Sequence, residues 1–409
     1  MSRAAQQLPT EGIDRDRLIL SAVTVLSVAG FGSGISQRVM DPLLPQLSAE
    51  FGQPLATVSW VITCFSLGYA FSQLFFGPLG DRYGKLRVVT WGCGACCGAS
   101  VFCALAPGLG TLLVARVLAG SMSAALIPLS MAWIGDAVPY ERRQPVLARF
   151  SIGQILGVAV GQLLGGLSAD YFGRRFPFLL LAVLFAVSTV LLQQMRGRLD
   201  TPAAPARGTG GATLGHLLRE FAMVLREPWA RTVMLSVFLE GAFVLGAFAF
   251  FAPHLHTALG IPLTLAGAAA MTFGLGGLVF ALAARPLLKY FGEQGLTRTG
   301  GIVLLVMMGV VALAPHIAVV ALACLAMGLG FYMLHNTLQT NATQMAPERR
   351  GAAVAAFALS YFLGQALGVS AAGWAVTRFG APPVIVTAAC CVLLTALNFA
   401  RAKRAHATR

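Results

Sequence analysis

Twelve apolar runs dominate this sequence, and each is long enough to cross a lipid bilayer. A crossing helix needs about 20 mostly apolar residues. Runs of that kind fall near 18–45, 57–79, 88–106, 109–134, 145–168, 176–195, 230–252, 263–286, 297–314, 317–341, 351–376 and 381–400. Hydrocarbon offers no water to backbone N–H and C=O groups, so each run must satisfy them internally, as a helix. Only 11% of the 409 residues are charged and 57% are hydrophobic, whereas a soluble domain carries roughly 25% charged residues. A water-soluble surface cannot be made from this chain. Residues 1–17 are polar, and no small-residue cleavage site follows a short apolar core, so the first run reads as a retained signal anchor.

The formal net charge of +14 invites a nucleic-acid reading, which its distribution removes. Of the 29 lysines and arginines, all but Arg38, Arg116, Arg174, Arg175 and Arg378 fall in the tails and the even-numbered connections. Basic residues collect on the cytoplasmic side of membrane proteins. Both termini are therefore expected in the cytoplasm, in a cell inner membrane. The eight cysteines all lie in apolar runs. Cys93, Cys96 and Cys97 have a ligand-like spacing with no second Cys or His pair beside it, so they read as packing residues and no metal is expected.

The chain also repeats. A shift of 208 residues sets Pro78-Leu79 on Pro286-Leu287, Tyr83-Gly84 on Phe291-Gly292 and Gly120 on Gly328. A shift of 207 sets Arg142-Arg143 on Arg349-Arg350, Gly161 on Gly368 and Phe172-Gly173 on Phe379-Gly380. Two parallel six-helix repeats are a transporter architecture, with the substrate site near midplane between the halves. The expected fold is an all-α membrane protein of twelve transmembrane helices in two pseudo-symmetric six-helix bundles. Its expected divisions are a cytoplasmic tail (1–17), a first bundle (18–195), a linker with an amphipathic surface helix (196–229), a second bundle (230–400) and a short tail (401–409). The linker helix places Leu214, Leu217, Leu218, Phe221 and Leu225 on one face.

Ionisable residues within spans are functional candidates by default. Arg38 and Asp41, three apart, can share a helix face at the end of the first span, and Arg116 in the fourth is expected at similar depth. A carboxylate beside arginine stays ionised, and one that loses that partner on burial tends to neutrality, which makes Asp41 a workable proton switch. Glu240 lies in the seventh span with no basic neighbour in sequence. Gln37, Gln154, Phe243, His335, Asn336 and Tyr361 are candidates for lining a central cavity. Gly157, Gly161, Gly165 and Gly166 give the fifth span a smooth face for close helix packing.

Between the second and third spans stands Gly77-Pro78-Leu79-Gly80-Asp81-Arg82-Tyr83-Gly84-Lys85. With this stretch the chain resembles the major facilitator superfamily over nearly its whole length. The family signature matches at Gly77, Leu79, Asp81, Arg82, Gly84 and Lys85. The resemblance implies a cytoplasmic gate in which the aspartate meets the start of the eleventh helix and the basic residues pair with an acid at the position of Asp136. Arg116 and Gly120 match the family's fourth-span pattern. The antiporter pattern of the fifth span matches at Gly157, Gly161, Gly165 and Gly166, with Gln162 in place of the proline. Asp41, ahead of Pro45, is placed like the embedded acid of twelve-span drug/proton antiporters, with sugar-efflux-type permeases nearby.

The expectation is a secondary transporter, not an enzyme, exporting small amphiphilic compounds against protons by alternating access as a functional monomer. No cofactor is expected beyond the coupling proton, and no Walker sequence signals ATP drive. The alternatives are a proton-coupled importer or facilitator of a sugar, organic acid or similar metabolite and, more remotely, a membrane sensor on a transporter scaffold.

Overall fold

The computed structural model describes residues 8–199, 214–314 and 316–407, and among these no strand occurs. The first tail residues and the Pro/Gly/Ala linker at 200–213 lie outside them, as do the side chains of Leu214, Leu217 and Leu218. Eleven helices are long and apolar enough to cross a membrane. Six precede the linker: Asp16–Arg38 (α1), Leu55–Tyr83 (α2), Lys85–Leu105 (α3), Leu109–Ala137 (α4), Tyr140–Phe172 (α5) and Phe176–Leu199 (α6). Pro228–Leu259 (α7) follows the short helix Leu214–Arg226. Next comes Leu263–Leu313, 51 residues in length. Unbroken, it would run about 76 Å, more than twice the roughly 30 Å of a hydrocarbon core. It is broken at Gly292, whose φ of 62° and ψ of 175° are not helical. The two parts, 263–291 (α8) and 293–313 (α9), are each long enough to cross. Ile317–Ala342 (α10), Pro347–Phe379 (α11) and Ala381–His406 (α12) complete the set.

Among the described residues, every glycine with positive φ belongs to the repeat. Gly52 (φ 59°) and Gly260 (φ 64°), Gly84 (93°) and Gly292 (62°), and Gly173 (76°) and Gly380 (81°) form three pairs, each at a separation of 207 or 208 residues. Side chains with a Cβ rarely adopt these angles, so the same turns recur in the two halves at the same places.

Each half has its own core. In the first, Leu26, Phe65, Phe150, Phe178 and Phe185 are buried together. In the second, Val233, Phe273, Met308, Phe331 and Phe399 do the same. Helices within a half approach closely where a glycine removes the obstacle. A Cβ on Gly157 would strike the Phe31 carbonyl of α1, Gly161 meets the same helix at Ile35, and Gly165 meets Val39 in the turn that follows it. The helix Leu214–Arg226 is held to the second half through Val224, which is fully buried, and through Glu220, 3.1 Å from Arg349.

With twelve membrane-length helices running in alternation once the break at Gly292 is counted, α1 begins and α12 ends on one face, the termini face. The halves are joined toward the opposite, far face. There the Thr63 hydroxyl of α2 donates to the Ala366 carbonyl of α11 at 3.2 Å and meets the Ser370 hydroxyl at 3.0 Å. In a second contact between the halves, α5 lies along the start of α8, where Gly166 abuts Leu263 and Thr264 and Gly267 abuts the Gln162 carbonyl.

Candidate functional site

The first span ends earlier than its apolar run. Helix α1 stops at Arg38, and residues 39–43 form a turn before the short helix Leu44–Phe51. Pro42 explains the stop: proline lacks an N–H and disfavours helical geometry at the residue before it, which is Asp41. Asp41 is thus held on a turn, with no exposed surface. Its Oδ2 accepts a hydrogen bond from Gln162 Nε2 of α5 at 2.7 Å and stands 3.6 Å from Arg38 Nη1. Its Oδ1 is buried without a hydrogen-bond partner.

Arg116 is also fully buried, but its bonds go elsewhere. Nε donates to the Val61 carbonyl at 3.1 Å, Nη2 to the Ser36 carbonyl at 3.0 Å, and the guanidinium lies 4.3 Å from the centroid of the Phe65 ring. It remains within Coulombic range of Asp41, but Arg38 is the direct ionic neighbour. Arg38 in turn lies over Phe248 of α7, 5.6 Å from its centroid, and so reaches the other half.

Glu240, without a basic neighbour in sequence, has one in space. His335 Nδ1 of α10 stands 2.7 Å from its Oε2, while Oε1 is buried without a partner. The two residues are 95 positions apart, so nothing local in the sequence could have paired them. His335 is enclosed by Phe331 (5.2 Å), Tyr361 (4.9 Å) and Phe357 (5.6 Å). Two files of rings converge on it. One runs from Arg116 through Phe65, Tyr69, Phe362 and Tyr361, crossing between halves at the 4.0 Å Tyr69–Phe362 contact. The other runs from Arg38 through Phe248, Phe273 and Phe331. Sequence reasoning missed these rings apart from Tyr361, because phenylalanine in an apolar run carries no sign of which face it occupies.

The remaining candidates are dispersed. Gln37 is partly buried, with Nε2 lacking a partner, and Gln154 is partly buried on α5. Asn336 is exposed. Phe243 lines a cleft of about 560 Å³ between α7, α11 and α12, with Phe238, Leu367 and Phe379.

On the termini face, Lys85 at the start of α3 holds Asp136 at the end of α4, Nζ to Oδ2 2.5 Å. Gly84 makes the turn beside it, and a Cβ on Gly77 would meet open space. The contact of Asp81 with the start of α11, implied by resemblance, is not made. Asp81 and Arg82 are exposed, and among the described residues no hydrogen bond or ion pair joins Asp81 to α11. The reason is geometric: α2 and α11 meet through their far-face halves, at Thr63 and Tyr69, while Phe75 and Leu79 of α2 and Val354 of α11 are exposed.

A family model described as Major Facilitator Superfamily matches residues 26–369. The chain belongs to that superfamily. Over 194 residues it is 31% identical to the multidrug export protein EmrB of Escherichia coli strain K12, a match of 47% of this chain and 37% of EmrB. It is 21% identical over 354 residues to the MFS-type transporter YceJ of Bacillus subtilis strain 168, covering 84% of this chain and 86% of the relative. The chain thus matches little more than a third of EmrB's length. Among solved structures it is similar in fold to the nucleoside transporter NupG, with a TM-score of 0.74 at 15% identity, covering 93% of this chain and 98% of that one. Members of this superfamily are non-enzymatic membrane permeases, and the membrane-length helices of this chain make it a multi-pass membrane protein.

Proposed function

We propose that this major facilitator protein exports small amphiphilic organic compounds in exchange for protons, by alternating access. One observation carries the reading. Asp41 is a fully buried carboxylate at the meeting of α1 and α5, with one oxygen bonded to Gln162 and the other free to take a proton. A buried acid with an unfilled acceptor, beside a movable arginine, is suited to gain and lose a proton as the cavity alternates. Glu240 and His335 form a second proton-accepting pair in the other half, and the rings around them offer apolar, flat surfaces to an amphiphile. The relatives named as multidrug exporters support export, and the basic bias of the tails and even connections supports cytoplasmic termini in an inner membrane. With that orientation, the far-face closure is the inward-open half of the cycle.

Inverted vesicles carrying the protein, given an inside-acid pH gradient and a panel of lipophilic cations and neutral amphiphiles, should accumulate substrate. Asp41→Asn should lower that flux by roughly tenfold, the rate equivalent of one pKa unit of lost driving interaction. Intact proton-coupled flux in both Asp41→Asn and Glu240→Gln would refute the proton-site assignment.

A second reading has its own observation. Arg116 Nη1 is buried without a hydrogen-bond partner, and a substrate carboxylate or phosphate would satisfy it. Uptake of an organic anion into right-side-out vesicles, lost in Arg116→Lys, would favour a proton-coupled importer.

A further inference from the structure

Gln162, Gly166 and Asp170 are spaced four apart on α5 and share one stripe of the helix, which a π-helical turn over Ser168–Phe172 carries to the far face. Each touches something different. The Gln162 side chain bonds Asp41 at 2.7 Å, while its own carbonyl abuts Gly267 of α8, where a Cβ would have no room. Gly166 packs against the backbone of Leu263 and Thr264. The Asp170 carboxylate accepts the N–H of Leu263 at 3.2 Å and of Thr264 at 2.7 Å. Those N–H groups belong to the first turn of α8 and have no acceptor within the helix, and the helix dipole favours an anion there. A single stripe of α5 therefore joins the buried acid of one half to the leading turn of the other.

We infer that Gln162 is a positioning residue that couples the protonation of Asp41 to the α5–α8 seam, with Asp170 as the latch at its far end. This rests on Asp41 being the proton site. An ionised Asp41 only accepts hydrogen bonds, and the Gln162 amide supplies the N–H. A proton from water that binds Oδ1 leaves Oδ2 an uncharged, weaker acceptor for the Gln162 N–H and adds an O–H that needs an acceptor of its own, which the same amide can supply by presenting its oxygen. Glutamine serves both states; the proline that the antiporter pattern carries at this position serves neither. Because the Gln162 backbone already touches α8, reorientation of its side chain is felt at the seam with no residue between. The other charged groups around Asp41 are Arg38 of its own segment and Arg116 of α4. Tyr332 of α10 and Tyr361 of α11 lie within Coulombic range of Arg38 from the opposite half.

The test reads the latch directly. In lipid nanodiscs, hydrogen exchange of the Leu263 and Thr264 amides is followed from pH 5.5 to 8.5, with labelling times scaled for the intrinsic pH dependence of exchange. In the wild type, protection should change by roughly tenfold across one titration. It should lose that pH response in Asp41→Asn. In Gln162→Met, which keeps side-chain length, and in Gln162→Asn, which keeps the amide but withdraws it, the midpoint should move by about one unit or the response vanish. Asp170→Ala should raise exchange at both amides at every pH, and unchanged protection there overturns the latch. A response abolished by Asp41→Asn but identical to wild type in both Gln162 variants overturns the role of Gln162 alone. A response that survives Asp41→Asn instead overturns Asp41 as the proton site.

Discussion

Arg116 uses Nε and Nη2 on two main-chain carbonyls from different helices, Val61 and Ser36, while its plane covers Phe65. A lysine ammonium is a point donor that cannot hold both carbonyls and the ring at once. Arg116→Lys should therefore cost about 1–3 kcal/mol of stability through the carbonyl left unpaired, seen as a lower melting temperature in detergent, besides any effect on flux. His335 makes a different prediction. With Glu240 Oε2 2.7 Å away, His335→Phe keeps a ring among Phe331, Phe357 and Tyr361 but strands a buried carboxyl. The variant should fold and melt near wild type if Glu240 is then protonated, and its proton-coupled flux in vesicles should fall. At this scale the sequence marks ionisable residues by the cost of burying them, and Asp41, Arg116 and Glu240 all lie fully buried. It does not say what each one touches. The hydrogen-bond partners of Asp41 and Glu240 stand 121 and 95 residues away, a separation that only folding brings together.

At the scale of elements, apolar length and glycine spacing made the helices legible, and proline and glycine adjusted their ends. The first apolar run hides the stop at Pro42, and α8 and α9 read as separate spans because Gly292 sits in the polar stretch between them. Gly292 permits a clean measurement. A Cβ there would meet nothing, yet φ 62° with ψ 175° is a region populated almost only by glycine. Gly292→Ala should destabilise the protein by about 1–3 kcal/mol for conformational reasons alone. Gly309→Ala, which also points into open space but at ordinary helical angles, should be neutral or slightly stabilising. Thermal melts of the two variants side by side separate backbone strain from packing. Gly157→Leu is the opposite case, since the collision with Phe31 would drive α1 from α5 and displace Asp41 from Gln162.

For the whole molecule, the halves close at the far face through Thr63, Ser370 and the α5–α8 seam. If that contact must part in each cycle, Thr63→Cys with Ser370→Cys, in a background without the exposed Cys390, should cross-link on oxidation and stop transport. Reduction should restore it. Unimpaired flux in the cross-linked protein would show that this closure is permanent. On the termini face the two copies differ in charge. In the first half Lys85 pairs with Asp136; in the second the residue 208 positions on is Glu293, bonded to Lys403 of α12, which also holds Asn341 at 3.0 Å. The alignment of the repeats exposes the reversed charge, but not that the end of α12 supplies its partner.

Gly84 and Gly292 each join two membrane-length helices by a single residue. A joint that short has no slack. One helix of such a pair cannot advance along the other by even a turn of about 5.4 Å without unwinding the end they share. The α2–α3 and α8–α9 pairs must therefore travel as hinged rods anchored on the termini face. Whatever motion exposes the buried acids has to be composed of tilts and rotations, and piston-like sliding is mechanically closed to both pairs.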